Sequence, residues 1–233
     1  MDVLLRGVTA LAGTLAGAVL VLVALYAFPF RHVDRTERVL PAFLAAAPDH
    51  ETYRLRLSGD LVSVSTSPTP AIFPNRPAGT PPLVEPNVSM GLALITHIRD
   101  ADNRIVGFAT ELEAAHEDSS FLRGRLMTHT TWTVVLPGRG VLFLYQTEDN
   151  WTLVTRFLLP SLLRGALWRG RWNHLNTLGP SPQGYGEVIA GTGIFAGRNG
   201  HFVEVAELRG FQPDAVFEGV MDLLVSRDHT EGK

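Results

Sequence analysis

Three glutamates and a tyrosine lie in alternating stretches with apolar neighbours. They are Glu111 in RIVGFATELE, Tyr145 in VLFLYQT, Glu204 in HFVEVAEL and Glu218 in AVFEGVMDLLV. On a strand, successive side chains point to opposite faces, so each belongs either to solvent or to an interior. A carboxyl turned inward loses water, holds its proton to higher pH and becomes an acid or hydrogen-bond donor near neutrality. Tyr145 adds a phenolic donor on an aromatic body. These four are the candidate catalytic residues. Glu113 shares the face of Glu111 with Gly107 and Ala109, and the solvent-facing reading of that pair stands beside the inward one. Trp132, Phe143, Trp151 and Met221 are candidate walls of a substrate site. In the hairpin, Trp132, Val134 and Leu136 share one face, and Phe143 and Tyr145 share one face of the partner strand. Both sets are expected to point the same way.

Much other chemistry is absent. There is no cysteine, which removes disulfides, thiolate nucleophiles and thiolate metal sites. The single lysine, Lys233, sits at the terminus, so a Schiff-base lysine is not available. A net charge of −3 gives no reason to expect nucleic acid. No H-E-x-x-H, G-x-S-x-G or Walker A motif occurs. His97, His116, His129, His174 and His201 are scattered, and nothing in their spacing suggests a metal. No metal and no cofactor is expected.

The elements that must position these residues are short strands separated by turns. Residues 51–57, 90–98, 104–113, 127–136, 141–147, 201–208 and 215–225 read as strands. Asp100–Asn103 and Pro137–Gly140 read as turns. No long helix alternates with the strands, which argues for a small antiparallel β-barrel, an all-β fold without exposed edges. Residues 64–88 hold seven prolines and form a long loop or arm. Residues 153–176 read as a short helical insertion in which Trp168 and Trp172 sit at an interface or pack beside the barrel. The barrel domain spans 51–226, followed by a tail, 227–233.

The amino terminus reads differently. Gly7 to Phe30 carry no charge, long enough for a transmembrane helix. The expected organisation is a membrane anchor at 1–33 and a juxtamembrane linker at 34–50, with the lipid bilayer as a partner through residues 7–30. A cleaved signal peptide is the rival reading. Arg31, Arg35 and Arg38 outnumber Arg6, which places the β domain of a single-pass membrane protein in the cytoplasm. Gly13 and Gly17 form a small-xxx-small step suited to a homodimer.

Two segments are more specific. DADNRIVGFATE at 100–111 and GTGIFAGRNG at 191–200 resemble the allene oxide cyclase and dirigent barrel superfamily. The matching positions are Asp100, Asp102, Asn103, Val106 and Gly107, then Gly191, Gly193, Phe195, Gly197 and Gly200. The resemblance covers residues 90–225. The glycines permit tight turning, and Phe195 is placed to plug one barrel end. A strand follows them within a few residues, unlike a dinucleotide-binding loop.

The resemblance implies cyclisation without a cofactor, in the manner of bacterial barrels that close polyketide chains by spiro-forming [4+2] cycloaddition. The expected function is a cyclase or cyclising isomerase of natural-product biosynthesis, acting on a hydrophobic polyketide or lipid-like substrate. A barrel that folds such a chain into a reactive shape removes entropy from the barrier, and a donor or two polarises a carbonyl. The alternatives are a non-catalytic carrier of the same ligands and an interaction protein whose barrel is filled by its own side chains.

Overall fold

The structure, a computed structural model, describes residues 2–27, 36–66, 91–120, 123–158, 168–211 and 217–227. The proline-rich segment lies outside these from residue 67 to 90. The chain divides into two compact units, Met1–Val33 and Asp34–Lys233.

The first unit is helix α1, Asp2–Ala27. Among the described residues, no helix is both long and apolar enough to cross a membrane. This corrects the expected transmembrane helix. The bilayer as a partner through residues 7–30, the single-pass membrane localisation and the orientation argued from it are corrected with it.

The second unit begins with α2, Thr36–Ala46, which contains Pro41. Eleven strands follow: β1 (His50–Arg56), β2 (Val62–Ser65), β3 (Gly91–Arg99), β4 (Ile105–Ala115), β5 (Met127–Leu136), β6 (Gly140–Asp149), β7 (Trp168–Leu175), β8 (Thr177–Gly179), β9 (Gly186–Gly191), β10 (Gly200–Phe211) and β11 (Phe217–Ser226). Eight of them form a closed antiparallel ring in the order β1-β11-β10-β9-β6-β5-β4-β3. The ring closes where β1 meets β3 through Arg54↔Arg99 and Leu55↔Ile98. The remaining strands dress this wall: β2 pairs with β3, β7 with β10 and β8 with β6.

Alternation decides what fills the ring. Burial switches at every second residue through most of β5, whose threonines and valines suit a pleated, half-buried surface. The interior holds Leu55, Ile98, Trp132, Leu144, Phe202 and Leu223 among a single apolar cluster. At one end the turn Gly193–Phe195 folds Phe195 into that cluster, where it is 1% exposed. The guanidinium of Arg139 lies 5.0 Å above the Phe195 ring, and that of Arg198 lies 5.8 Å away. Glycine is required in this plug. A Cβ on Gly191 would meet the Phe195 carbonyl oxygen at 2.2 Å, and one on Gly193 would meet that of Arg139 at 2.2 Å. Gly193 also has φ +62°, which disfavours other residues.

At the far end, the expected helical insertion is corrected. Among its described residues, Leu153–Leu158 is a π-helical turn and Trp168–Leu175 is strand β7 along β10. Trp168 and Trp172 pack with Leu153, Val154, Leu158, Leu208 and Phe211 in a second apolar cluster. β7 forms part of the wall because β10 is long enough to pair with β9 at its start and β7 over the rest. On the outer face, α2 sets Phe43 edge-on to Tyr185, with ring centroids 5.4 Å apart.

Candidate functional site

Four glutamates enter the barrel from three strands and gather toward the end away from Phe195. β4 contributes Glu111 and Glu113, β6 contributes Glu148, and β10 contributes Glu204. Glu111, Glu148 and Glu204 are buried, and Glu113 is half-buried. Carboxylate oxygens of Glu111, Glu113 and Glu148 all lie within 4.8 Å of one another. They share a face with Gly107 and Ala109 on β4 and with Leu142 and Leu144 on β6, because inward positions recur every two residues.

Gln146 joins the two sides of this group. Its Nε2 donates to Glu148 Oε1 at 2.7 Å and also to Glu204 Oε2. The amide orientation is fixed from behind. The Glu204 backbone N–H donates to Thr177 Oγ1 at 2.8 Å, so the Thr177 hydroxyl hydrogen is directed to Gln146 Oε1 at 2.6 Å. Glu204 also accepts the Trp132 indole N–H at 2.9 Å and the side-chain amide of Asn176. Thr96 Oγ1 and Asn176 Oδ1 are buried without a hydrogen-bond partner among the described residues.

These surroundings separate the four carboxyls. Burial, then the neighbouring charges of Glu113, Glu148 and Glu204, push the Glu111 carboxyl well above the usual range. Burial, then Glu204 and Glu113, do the same for Glu148, opposed by hydrogen bonds from Thr130 and Gln146. Burial and Glu204 push Glu113 up to about 8. Burial also raises Glu204, but Asn176, Trp132 and Gln146 all donate to it and pull it back. Negative charge is best accommodated on Glu204, and Glu111 keeps a proton to offer. A neutral carboxylic acid in an apolar surround is a strong hydrogen-bond donor to a carbonyl. The three clustered carboxyls are also the oxygen ligands a hard cation would need, although burial favours their neutral forms.

The sequence candidates separate by face. Glu111, Glu204, Trp132 and Met221 are all buried on the interior side. Tyr145 and Phe143 are not with them: Trp132 pairs with Leu144, so both aromatic residues lie on the outer face. Tyr145 instead meets His129 on the outer wall. Glu218 lies near the start of β11, three residues from Met221 and so on the opposite face. Trp151 is buried just beyond β6, with its backbone N–H on Asp149 Oδ1 at 3.0 Å. Glu148, Gln146, Asn176 and Thr177 are additional to the sequence candidates. The alternation Leu142, Leu144, Gln146, Glu148 is the signal that carries the first two.

A separate groove of about 430 Å³ lies on the outer face, lined by residues including Leu40, Arg54, Val205, Glu207 and Asp222. Its strand residues alternate with the interior ones, so it is distinct from the carboxyl cluster.

No family model and no curated protein matches the sequence. Solved structures similar to this chain include the following two. One is described as a nonspecific haem-binding cyclase that catalyses [4 + 2] cycloaddition during neoabyssomicin biosynthesis. It has 13% identity and a TM-score of 0.35, covering 84% of this chain and 80% of that one. The other is the Diels–Alderase AbmU from Streptomyces koyangensis, with 13% identity and a TM-score of 0.37, covering 85% of this chain and 75% of that one. At this identity and these scores the likeness assigns neither a substrate nor a residue.

Proposed function

We propose that this barrel is a cofactor-independent cyclase for a hydrophobic polyketide or lipid-like substrate, of the kind found among allene oxide cyclase and dirigent barrels. The carrying observation is the group of interior carboxyls held in apolar surroundings, with burial and neighbouring carboxyls pushing Glu111 toward its neutral form and Glu204 held by three donors. Trp132 and Met221 form the wall beside them. The half-buried Glu113 marks the side on which the group reaches solvent.

In such a reaction the substrate already carries every atom of the product. For a [4+2] closure, two carbon–carbon σ bonds form at the expense of two π bonds, and nothing leaves. The barrel contributes shape, which removes conformational entropy from the barrier. Glu111 donates a hydrogen bond to a carbonyl conjugated with the reacting alkene and draws electron density toward oxygen as the bonds form. Glu204 stays in place as the fixed acceptor that orients Trp132 and Gln146.

The test is incubation of the purified chain with a linear polyene bearing a conjugated carbonyl, followed by chiral chromatography and mass spectrometry. The expected result is faster closure to one stereoisomer, slowed by roughly 10²-fold in Glu111→Gln. Closure at the protein-free rate, with the protein-free isomer ratio, overturns the enzyme reading. Tight binding without turnover would leave a carrier.

A further inference from the structure

We infer that His116, Glu117 and His129 bind one divalent transition-metal ion of the zinc class on the outer wall of the barrel, with Tyr145 as the outer-sphere partner of His129. The inference does not depend on the cyclase proposal, because these side chains lie on the other face of the wall from the interior carboxyls.

The fold assembles the group from residues distant in sequence. β4 ends at Ala115, and the His116 N–H donates to the Met127 carbonyl at 3.0 Å. This returns the chain across the start of β5 and stacks the His116 ring on that of His129, with centroids 4.2 Å apart and planes 25° from parallel. Ligand atoms of His116, Glu117 and His129 all lie within 4.8 Å of one another.

The spacing suits a tetrahedral ion. Ligand atoms about 2.0–2.1 Å from such an ion are separated from each other by about 3.4 Å. Two measured edges bracket that value: His129 Nε2 to Glu117 Oε2 is 2.9 Å, and His116 Nδ1 to the same oxygen is 3.7 Å. Glu117 is exposed and lies in a turn, and His116, just past the end of β4, must tilt its ring off the His129 stack for both in-plane lone pairs to face one ion; both adjustments are made outside the barrel strands.

The outer sphere is already in place. A liganding imidazole usually gives its other N–H to a fixed acceptor. The Tyr145 hydroxyl lies 2.7 Å from His129 Nδ1. With the metal on Nε2, His129 carries its proton on Nδ1 and donates it to the Tyr145 oxygen. His116 Nδ1 now accepts the Asp118 N–H at 3.0 Å. An ion takes that lone pair, and the exposed Asp118 turns its amide to water. Two neutral imidazoles and one carboxylate favour zinc, nickel or copper over calcium or magnesium. The fourth position is left for water.

The test is calorimetric titration of the chelator-treated full chain with zinc chloride. One equivalent is expected to bind with a micromolar or tighter Kd. His129→Ala and His116→Ala should each weaken it by more than tenfold, and Tyr145→Phe by roughly tenfold. Urea midpoints without zinc establish that each variant is folded. Cobalt should give visible d–d bands that disappear in His129→Ala. The inference is overturned if the native chain takes up no stoichiometric zinc, or if His129→Ala binds it equally well. Loss in Glu113→Gln with retention in His129→Ala would place the ion among the interior carboxyls and overturn it as well.

Discussion

The indole N–H of Trp132 donates to Glu204 Oε2 at 2.9 Å between two strands separated by β6 and β9 in the ring. Every side-chain partner of Glu204 is a donor: Trp132, Gln146 and Asn176. Glu204→Gln would therefore put an amide NH₂ among donors that need an acceptor. It should lower stability by about 1–3 kcal/mol, measured by urea unfolding. Trp132→Phe should cost a similar amount, and the double variant less than the sum. Strict additivity would show that the two residues are not coupled.

Glu113 carries a pH dependence of defined sign. Its carboxyl titrates at about 8 in the folded chain, against 4.5 when unperturbed. Between those values the folded state binds more protons than the unfolded state, so stability falls as pH rises across that window. The unfolding midpoint should drop from pH 5 to pH 9, and Glu113→Gln should flatten the slope. A native midpoint that rises over the same range would contradict this account.

The plug makes a graded prediction for three glycines. Gly197 has φ +72° and open space where a Cβ would stand, so Gly197→Ala should cost about 1 kcal/mol in strain alone. Gly193→Ala adds a 2.2 Å contact with the Arg139 carbonyl oxygen to a similar strain. Gly191→Ala drives a Cβ against the Phe195 carbonyl. Both should cost clearly more than Gly197→Ala in thermal or urea unfolding. Equal losses at all three positions would mean that the close approach is relieved.

Facing predicts a split between two residues of similar chemical promise. Tyr145→Phe should leave cyclisation unchanged within about twofold, because its hydroxyl lies outside the barrel, whereas Glu111→Gln should slow it by roughly 10²-fold. Chiral product analysis of both variants on one substrate checks this. A large loss in Tyr145→Phe would show that the outer wall takes part in the reaction.

Seven strands and the barrel class were legible because alternation persisted over whole strands. Alternation put Glu111 and Glu113 on one face of β4 and Glu204 on a face of β10, but which face turns inward was left open. The face of Tyr145 differs from the expectation, and the reason is one residue of register. With Pro137–Gly140 taken entirely as turn, Leu136 pairs with Val141, which brings Trp132 opposite Tyr145. The observed pair is Leu136↔Gly140, which brings Trp132 opposite Leu144 and sends Gln146 and Glu148 inward. Gly140 is drawn into the strand because its missing side chain lets the Thr192 carbonyl approach to 2.1 Å from the site of a Cβ. No local pattern announces a contact made by a residue fifty positions away. β7 was obscured for another reason: Trp168 and Trp172 alternate with Arg169 and Arg171, but two tryptophans four positions apart also share a helix face, and their burial is set by Phe211 and the π-helical turn.

The seam between β1 and β3 is held by only two residue pairs, Arg54↔Arg99 and Leu55↔Ile98, while β2 occupies another part of the β3 edge. A cylinder stitched so briefly along one line has a built-in slit. Parting it sacrifices far fewer ladder bonds than parting any of the long hairpins, so breathing of the wall should start there, and the amides flanking Leu55 should exchange with solvent before those of β5. A guest too wide for the resting bore would find its extra room along that line.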